Sequence, residues 1–253
     1  MRPFLYATTV ALLLSGCAKT NEPEPAITID QSTVSLHYDQ AQSFTLRRGS
    51  STVDPASLTW SSSDTLIGTV SKQGIFKAKR VGKTTVTGRP ADNGSSVTSE
   101  ITVTPYSTAY TEPVVTFQVS KATVKGKETR TLLNETTDGL FFGGERPTVA
   151  GVTYQFNAGQ YAASGVSLQP TQAVATDVAL FLKERYTYLG TDEDIYVFAD
   201  ERGLLIGLTA SDQAGLLVLY LPEPTGGRRP AGASAARVAA MKALLAHSQA
   251  WPR

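Results

Sequence analysis

Few side chains in this sequence are suited to catalysis or metal binding. Cys17 is the only cysteine in the 253 residues, and the only histidines are His37 and His247. Nucleophilic hydrolysis usually needs a base beside the nucleophile, and a zinc site needs clustered cysteine or histidine ligands. The Gly-x-Ser-x-Gly, His-Glu-x-x-His and glycine-rich phosphate-binding patterns do not occur. We therefore assign no catalytic residue, no metal ligand and no cofactor.

Carboxylates are the remaining groups with catalytic potential. The densest group is Asp192-Glu193-Asp194. A glycosidase needs two carboxylates on either side of a sugar cleft, and adjacency in sequence does not show that arrangement. The spaced Asp-x-Asp-x-Asp-Gly pattern of a calcium loop is also absent. We interpret this group as an acidic loop between a helix and a strand.

The lone cysteine directly follows an apolar run. Residues 4–14 are apolar apart from two threonines, and Arg2 precedes them. These 11 residues rise 1.5 Å each in a helix, which is too short for the ~30 Å hydrocarbon layer of a bilayer. The run therefore predicts a secretory signal peptide over residues 1–16.

The end of this run, Leu14-Ser15-Gly16-Cys17, resembles a bacterial lipobox. The resemblance implies that the Cys17 thiol receives a diacylglyceryl group and that cleavage before Cys17 frees an amine for acylation. Two or more acyl chains anchor a protein firmly, so the lipid bilayer is a predicted partner. Ala18 stands where inner-membrane lipoproteins commonly carry aspartate, which points to the outer membrane, on its periplasmic or extracellular face. The alternative is an ordinary signal peptide with a chance cysteine.

The composition of the mature chain indicates a globular protein. Removing residues 1–16 removes one of the 23 basic residues and none of the 22 acidic residues, so the mature chain is formally neutral. This balance argues against a nucleic-acid partner, which needs a basic surface. At 41% hydrophobic residues the chain should fold, and its length suggests two domains. Residues 17–25, with two prolines, read as a lipidated tether.

Residues 26–105 show the alternation of apolar and polar side chains that predicts short β-strands, as at Val34, Leu36 and Tyr38. Asp92-Asn93-Gly94 predicts a hairpin between residues 84–88 and 97–103. Strands at this spacing favour a β-sandwich. We expect Trp60 to fill the core between its two sheets; the alternative is an exposed ring that stacks on sugars.

Three short motifs in this region carry a specific resemblance. They are Trp60-Ser-Ser-Ser-Asp64, Val70-Ser-Lys-Gln-Gly74 and Gly82-Lys-Thr84. Together they resemble the bacterial Ig-like domain of group 2. The resemblance implies an Ig-like sandwich that acts as a spacer or binding module outside the bacterial cell, without enzymatic activity. One departure is Asp39-Gln40, where the family usually has glycine.

Residues 106–224 combine helix and strand patterns. Ser120 is a candidate cap for a helix over residues 121–128, and apolar residues at helical spacing predict a second helix over residues 171–186. Lys183, Glu184 and Arg185 are expected on its polar face. About three strands are predicted after each helix, over residues 131–142, 149–156, 161–168, 195–199, 204–209 and 216–221.

The two halves of this region resemble each other. Tyr154-Gln-Phe156 in the first matches Tyr196-Val-Phe198 in the second, and both precede a glycine-containing turn. The match indicates a duplicated α-β-β-β unit that forms one antiparallel sheet with helices on one face. A chance similarity between so few residues is the alternative. A helix followed by such hairpins is also weakly similar to the module of β-lactamase inhibitor proteins.

The whole chain resembles bacterial lipoproteins with an N-terminal Ig-like domain and an uncharacterised C-terminal α+β domain. Residues 225–253 are predicted to form a linker and a peripheral C-terminal helix. The predicted fold is therefore β-rich, with an Ig-like sandwich followed by an α+β domain. The predicted function is non-catalytic, with the Ig-like spacer presenting a binding domain for a cell-envelope protein or glycan. The alternative is an accessory glycan hydrolase that uses carboxylates of the C-terminal domain.

Overall fold

The computed structural model describes residues 24–92, 94–192, 194–201, 203–211, 215–223 and 239–243. The predicted signal peptide, the lipobox residues Leu14, Ser15 and Gly16, and Cys17 lie outside these ranges. So do nearly all of the tether and most of the predicted linker and C-terminal helix. The described chain is β-rich, with an Ig-like N-terminal domain followed by a sheet-rich C-terminal domain that carries two helices. The predicted fold class is confirmed.

The N-terminal domain is a sandwich of short strands. One layer is a four-stranded sheet in the order β2-β10-β9-β6, and the facing strands form two three-stranded sheets, β1-β4-β5 and β3-β8-β7. The strands are β1 Ile27–Ile29, β2 Thr33–His37, β3 Ala41–Ser43, β4 Leu46–Arg48, β5 Ser51–Val53, β6 Leu58–Ser62, β7 Gly68–Val70, β8 Ile75–Ala78, β9 Gly82–Pro90 and β10 Val97–Thr104.

The alternation in the sequence explains this packing. On β10 the side chains of Val97, Ile101 and Val103 are buried, while the intervening residues Thr98 and Glu100 face solvent. Strand β10 pairs antiparallel with β9, as the hairpin signal predicts, and parallel with β2. Apolar side chains of the facing sheets meet in the interior and stabilise the sandwich by leaving water.

Trp60 lies on β6, an outer strand of the four-stranded sheet. Its ring stacks on Phe44, with centroids 5.8 Å apart and planes 15° apart. Its indole N–H donates to the Pro55 carbonyl at 2.8 Å. The side chain contacts both apolar clusters of the sandwich but is only partly buried. Trp60 therefore lies at the margin of the core and is not fully enclosed between the two sheets.

The C-terminal domain is one eight-stranded antiparallel sheet in the order β11-β12-β13-β14-β18-β17-β16-β15. Each helix is followed by four strands, not the three predicted. Because β14 pairs with β18, the strand order reads outward in the same way on both sides of the sheet centre. The elements are α1 Lys121–Lys127, β11 Leu132–Glu135, β12 Gly139–Gly143, β13 Val149–Asn157, β14 Gln160–Leu168, α2 Gln172–Lys183, β15 Thr187–Asp192, β16 Ile195–Ala199, β17 Leu204–Ser211 and β18 Gly215–Pro222.

Both helices begin at side-chain caps. The Ser120 hydroxyl accepts a hydrogen bond from the Thr123 N–H, and the Thr171 hydroxyl accepts one from the Val174 N–H. Such caps satisfy N–H groups that have no partner within the helix. No helix within the described residues is long and apolar enough to span a bilayer.

The match between Tyr154 and Tyr196 does not reflect equivalent positions. Tyr154 lies on β13, the third strand of its unit, and is fully buried. Tyr196 lies on β16, the second strand of its unit, and is 50% exposed. The repeated arrangement therefore rests on the topology of the two units and not on this sequence match.

The two faces of the sheet are covered differently. The face toward α1 and α2, called here the helix face, holds the larger apolar cluster, which includes Val124 of α1 and Phe181 of α2. The opposite face holds a second cluster, almost entirely from strands β16, β17 and β18. Met241, within the helical residues 239–243, packs on that cluster and is fully buried. The prediction of helices on one face is therefore incomplete.

We expect Trp60→Ala to destabilise the N-terminal domain by about 3 kcal/mol, near the low end for loss of a large aromatic side chain because this ring is partly exposed. Thermal and urea unfolding followed by circular dichroism would measure the loss. Trp60→Phe is the matched control, because it keeps an aromatic ring against Phe44 and loses the hydrogen bond to Pro55 and part of the indole volume, so it should cost less than Trp60→Ala. If Trp60→Ala melts like the wild type, the ring does not contribute to the core.

Candidate binding surface

Two tyrosines are exposed at one edge of the eight-stranded sheet. Tyr188 on β15 is 46% exposed and Tyr196 on β16 is 50% exposed. The Tyr188 ring lies 5.3 Å from that of buried Phe198, and its hydroxyl hydrogen-bonds with Thr191, which lies opposite Tyr196 in the strand pairing. We call Tyr188, Thr191 and Tyr196 the tyrosine surface. Exposed tyrosines present both an apolar ring and a polar tip, which suits recognition.

The strand that carries Tyr188 ends the sheet. A free edge exposes backbone N–H and C=O groups that can pair with another chain. Strand β15 has a register shift between Tyr188 and Gly190, where Gly190 has a φ of 129° that favours glycine. Strand β11, at the other edge, has a shift between Leu132 and Asn134. Because such bulges disrupt strand pairing, recognition here should use side chains rather than an added strand.

The acidic group lies beside the tyrosine surface. Asp192 ends β15, and Asp194 lies in the turn that leads into β16. The group is therefore part of a hairpin between two strands, and the predicted position between a helix and a strand is wrong. Glu193 is outside the described residues. Within the described ranges no cluster of three or more aspartate, glutamate, histidine or cysteine side chains is arranged to hold a metal ion.

The Ig-like domain contacts the same end of the sheet. Arg80 forms a two-point ion pair with Glu201, at 2.6 and 2.8 Å, and also donates to the hydroxyl of Thr187, the first residue of β15. The Val81 N–H donates to the Glu184 carbonyl at 2.8 Å. Two-point arginine–carboxylate pairs fix geometry as well as adding energy. These contacts tie the Ig-like domain to the strand that carries Tyr188.

The position of Glu184 differs most from the sequence-based prediction. It was expected on the polar face of α2, but its side chain is completely buried at the C-terminal cap of that helix. Its carboxylate accepts hydrogen bonds from the backbone N–H groups of Tyr106 and Ser107. A buried carboxylate needs such partners, because an unpaired one carries a large desolvation cost. Glu184 therefore fixes the segment that connects the two domains.

The connecting segment also contacts the Ig-like domain directly. The Tyr106 ring stacks on His37, with centroids 3.9 Å apart and planes 13° apart. The Tyr106 hydroxyl donates to Asp39 at 3.0 Å. The first residue after the sandwich is thus held on one side by β2 and the following turn, and on the other side by Glu184.

A second buried carboxyl lies beneath the sheet. Glu112 accepts a hydrogen bond from the Tyr186 hydroxyl, and the Tyr220 hydroxyl lies 3.5 Å from the same oxygen. Burial raises the pKa of Glu112, although the Tyr186 hydrogen bond and the Arg185 charge oppose this effect. A general acid needs a raised pKa, but the Glu112 carboxyl is already hydrogen-bonded to Tyr186 inside the domain.

A third group of charged side chains stabilises the other half of the domain. The Arg130 side chain is almost fully buried, and it pairs with Glu128 at 2.8 Å and with Glu145 at 2.7 Å. Burial alone would raise the pKa of Glu145, but hydrogen bonds from Arg130 and from the Thr111 N–H bring it below its usual value. These carboxylates are occupied by structural ion pairs.

Comparison with known families identifies a similarity in the N-terminal domain. The family model of the bacterial Ig-like domain (group 2) matches residues 25–101. The match covers the N-terminal domain and supports the resemblance carried by the Trp60, Val70 and Gly82 motifs. No curated protein matches the chain significantly. An Ig-like domain of this class suggests a surface or binding role.

We expect Glu112→Gln to stabilise the protein at neutral pH. The raised pKa means that the folded state favours the protonated carboxyl, so the stability this gives is present below the ordinary pKa of 4.5 and is lost as pH rises through the folded-state pKa. Glutamine keeps an oxygen that can accept the Tyr186 hydrogen bond without the buried charge.

Urea unfolding of wild type and variant at a series of pH values tests this sign. The stability gain should be present at pH 7 and should shrink as pH falls through the raised folded-state pKa toward the ordinary value of 4.5. Glu135→Gln is the control, because the Lys125 hydrogen bond lowers the pKa of that exposed carboxyl. A Glu112→Gln variant that is less stable than wild type at pH 7 would show that the ionised carboxylate is favourable.

Proposed function

We propose that this protein is a non-catalytic, lipid-anchored protein of the outer membrane, in which the Ig-like domain is a spacer. The C-terminal domain presents the tyrosine surface to a cell-envelope protein or glycan. The observation that carries the proposal is the pair of half-exposed rings, Tyr188 and Tyr196, on the sheet edge next to the junction between the domains. Rings of this kind often dominate the free energy of binding at recognition surfaces.

The tether and the junction support the spacer role. Residues 18–26 separate Cys17 from the first strand, and an extended chain of this length reaches about 30 Å. The Arg80–Glu201 pair and the buried Glu184 then fix the C-terminal domain against the sandwich. A ligand bound at the tyrosine surface would be held at a defined orientation relative to the anchored domain.

The hydrolase alternative requires two carboxylates that face one sugar-binding cleft. Glu112 has the raised pKa of an acid catalyst, yet it accepts its hydrogen bond from Tyr186 within the domain. Glu128 and Glu145 pair with Arg130. The binding role is therefore the better supported of the two, and glycan hydrolysis is an outcome that the experiment below must include.

We expect the double substitution Tyr188→Ala, Tyr196→Ala to weaken ligand binding by at least about tenfold, because truncation of a central aromatic contact typically costs more than 1 kcal/mol. The protein would be used to capture partners from a cell-envelope extract and would be applied to a glycan array. The melting temperature should stay close to that of the wild type, since both rings are half exposed.

The matched control is Leu132→Ala, Leu133→Ala, which truncates two exposed side chains on β11 at the opposite edge. This control should bind as the wild type does. Equal binding by the tyrosine variant and the wild type would reject the tyrosine surface. Release of reducing sugar from an array ligand, lost in Glu112→Gln, would support the hydrolase instead.

We expect Cys17→Ser to leave uncleaved, unlipidated precursor, because a serine oxygen cannot form the thioether through which the diacylglyceryl group is attached. Labelling cells with radioactive palmitate and separating the protein by detergent partition would test this. Ala18→Ser, one residue later, is the control and should still be processed and labelled. A Cys17→Ser protein of mature size that carries fatty acid would reject the lipid anchor.

A further inference from the structure

The opposite face of the sheet has a different character in the first helix-and-strand unit than in the second. In the second unit it is apolar, and its side chains form the cluster that includes Met241. In the first unit, alternate residues of β12, β13 and β14 point to the helix-face cluster, as Phe142, Tyr154 and Val166 do. The residues between them lie on the opposite face and are mostly small or polar. They are Gly139, Phe141 and Gly143 on β12, Gly151, Thr153 and Gln155 on β13, and Ala163, Gly165 and Ser167 on β14.

Phe141 is a partly exposed aromatic residue on this face that core packing does not explain. Its neighbours Leu140 and Phe142 are buried in the helix-face cluster, whereas Phe141 belongs to neither apolar cluster of the domain. A Cβ atom added at Gly139 would lie 2.9 Å from two carbons of the Phe141 ring. The ring therefore lies over Gly139, against the sheet, and part of it remains open to a ligand.

Polar side chains without partners lie beside this ring. Thr153 is opposite Phe141 in the strand pairing, Gln155 is two residues further along β13, and Ser167 is on β14. Among the described residues, none of these three side chains takes part in a hydrogen bond. Thr153 is only 8% exposed, so this residue is nearly buried although its hydroxyl has no partner within the described chain. A ligand that pairs with the hydroxyl would remove the cost of leaving it unpaired. We call Phe141, Thr153, Gln155 and Ser167 the neutral platform.

The charge and the strand pairing of this region restrict what can bind there. Strands β12, β13 and β14 contain no aspartate, glutamate, lysine, arginine or histidine. Glu135 of β11 is on the helix face, where it pairs with Lys125. A charged ligand would lose hydration on the neutral platform without meeting an opposite charge. Because all three strands are paired on both sides, they offer no free backbone edge to an added peptide strand.

We infer that the neutral platform is a second binding site of this domain and that its ligand is an uncharged glycan. A sugar ring presents C–H groups that stack on an aromatic ring, and hydroxyls that pair with hydroxyl and amide side chains. Phe141 provides the stacking contact, and Thr153 and Gln155 provide the hydrogen bonds. This inference does not depend on the tyrosine surface, which lies on the helix face of the sheet beside Phe198.

The test titrates the full chain with uncharged hexasaccharides by isothermal titration calorimetry. The probes are cellohexaose, xylohexaose, mannohexaose and chitohexaose, and at least one should bind with a Kd below about 1 mM. The matched charged probe is a hexasaccharide of galacturonic acid. Its carboxylates have no basic partner on the neutral platform, so it should bind at least about tenfold more weakly.

Two substitutions on the neutral platform assign the site. Phe141→Ala removes the stacking contact and should weaken binding at least about tenfold. Thr153→Val keeps the shape of the side chain and removes the hydroxyl, so it should weaken binding about three- to tenfold while the melting temperature stays the same or rises. The double substitution Tyr188→Ala, Tyr196→Ala is the control for the other site and should bind the hexasaccharide as the wild type does.

Four results would overturn the inference. Failure of all four uncharged probes to bind below about 1 mM would remove the glycan as ligand. Equal binding of the galacturonic acid hexasaccharide would show that the ligand class is wrong. Wild-type affinity in both Phe141→Ala and Thr153→Val would place the bound glycan elsewhere. Loss of binding in the tyrosine double variant alone would assign the glycan to the tyrosine surface, so that the proposed function would stand without the neutral platform.

Discussion

The antiparallel pairing of β14 with β18 is the contact on which the C-terminal domain depends. Each helix-and-four-strand unit ends in the strand that meets its counterpart, from Ser164 opposite Tyr220 to Leu168 opposite Leu216. Without that pairing each unit would be a four-stranded sheet with an exposed long edge. With it, the two last strands become the centre of one sheet, and β11 and β15 become the edges. Both edges carry a register shift, which limits further strand addition.

Central strands are buried on two faces, and this requirement explains the sequence of β18. Its run Leu-Leu-Val-Leu-Tyr-Leu has no polar residue except the tyrosine hydroxyl, which meets the Tyr110 hydroxyl within the helix-face cluster. One set of these side chains packs under the helices and the other set packs under Met241. A strand buried on one face only would alternate with polar residues. The continuous apolar run therefore indicates a strand that is covered on both faces of the sheet.

Helices and strands were predicted best where one face of the element is buried and the other is exposed to solvent. The strands of the sandwich and both helices follow this rule, and the two caps, Ser120 and Thr171, mark the helix starts within one residue. Strands β11 and β15 were missed as separate strands because edge residues such as Leu133 and Tyr188 are exposed and show no alternation.

The role of Glu184 could not be predicted, because its partners, the N–H groups of Tyr106 and Ser107, are about 80 residues away in sequence. The tyrosine surface was missed for a different reason: β15 was not predicted, so its pairing with β16, which places Tyr188 and Tyr196 on one face, was not foreseen.

The junction between the two domains contains a buried carboxylate and directional polar contacts, and these contacts restrict how the domains can move relative to each other. Glu184 has no exposed surface, and its carboxylate accepts hydrogen bonds from two backbone N–H groups of the connecting segment. Moving α2 away from that segment would leave the carboxylate and both N–H donors without these partners. The Arg80–Glu201 pair adds a fixed geometry at the start of β15, and Tyr106 stacks on His37 of the sandwich. An apolar junction would tolerate sliding, because apolar contacts have no preferred direction. Hydrogen bonds to a buried carboxylate do have a preferred direction. The Ig-like domain and the edge that carries the tyrosine surface are therefore held as one unit.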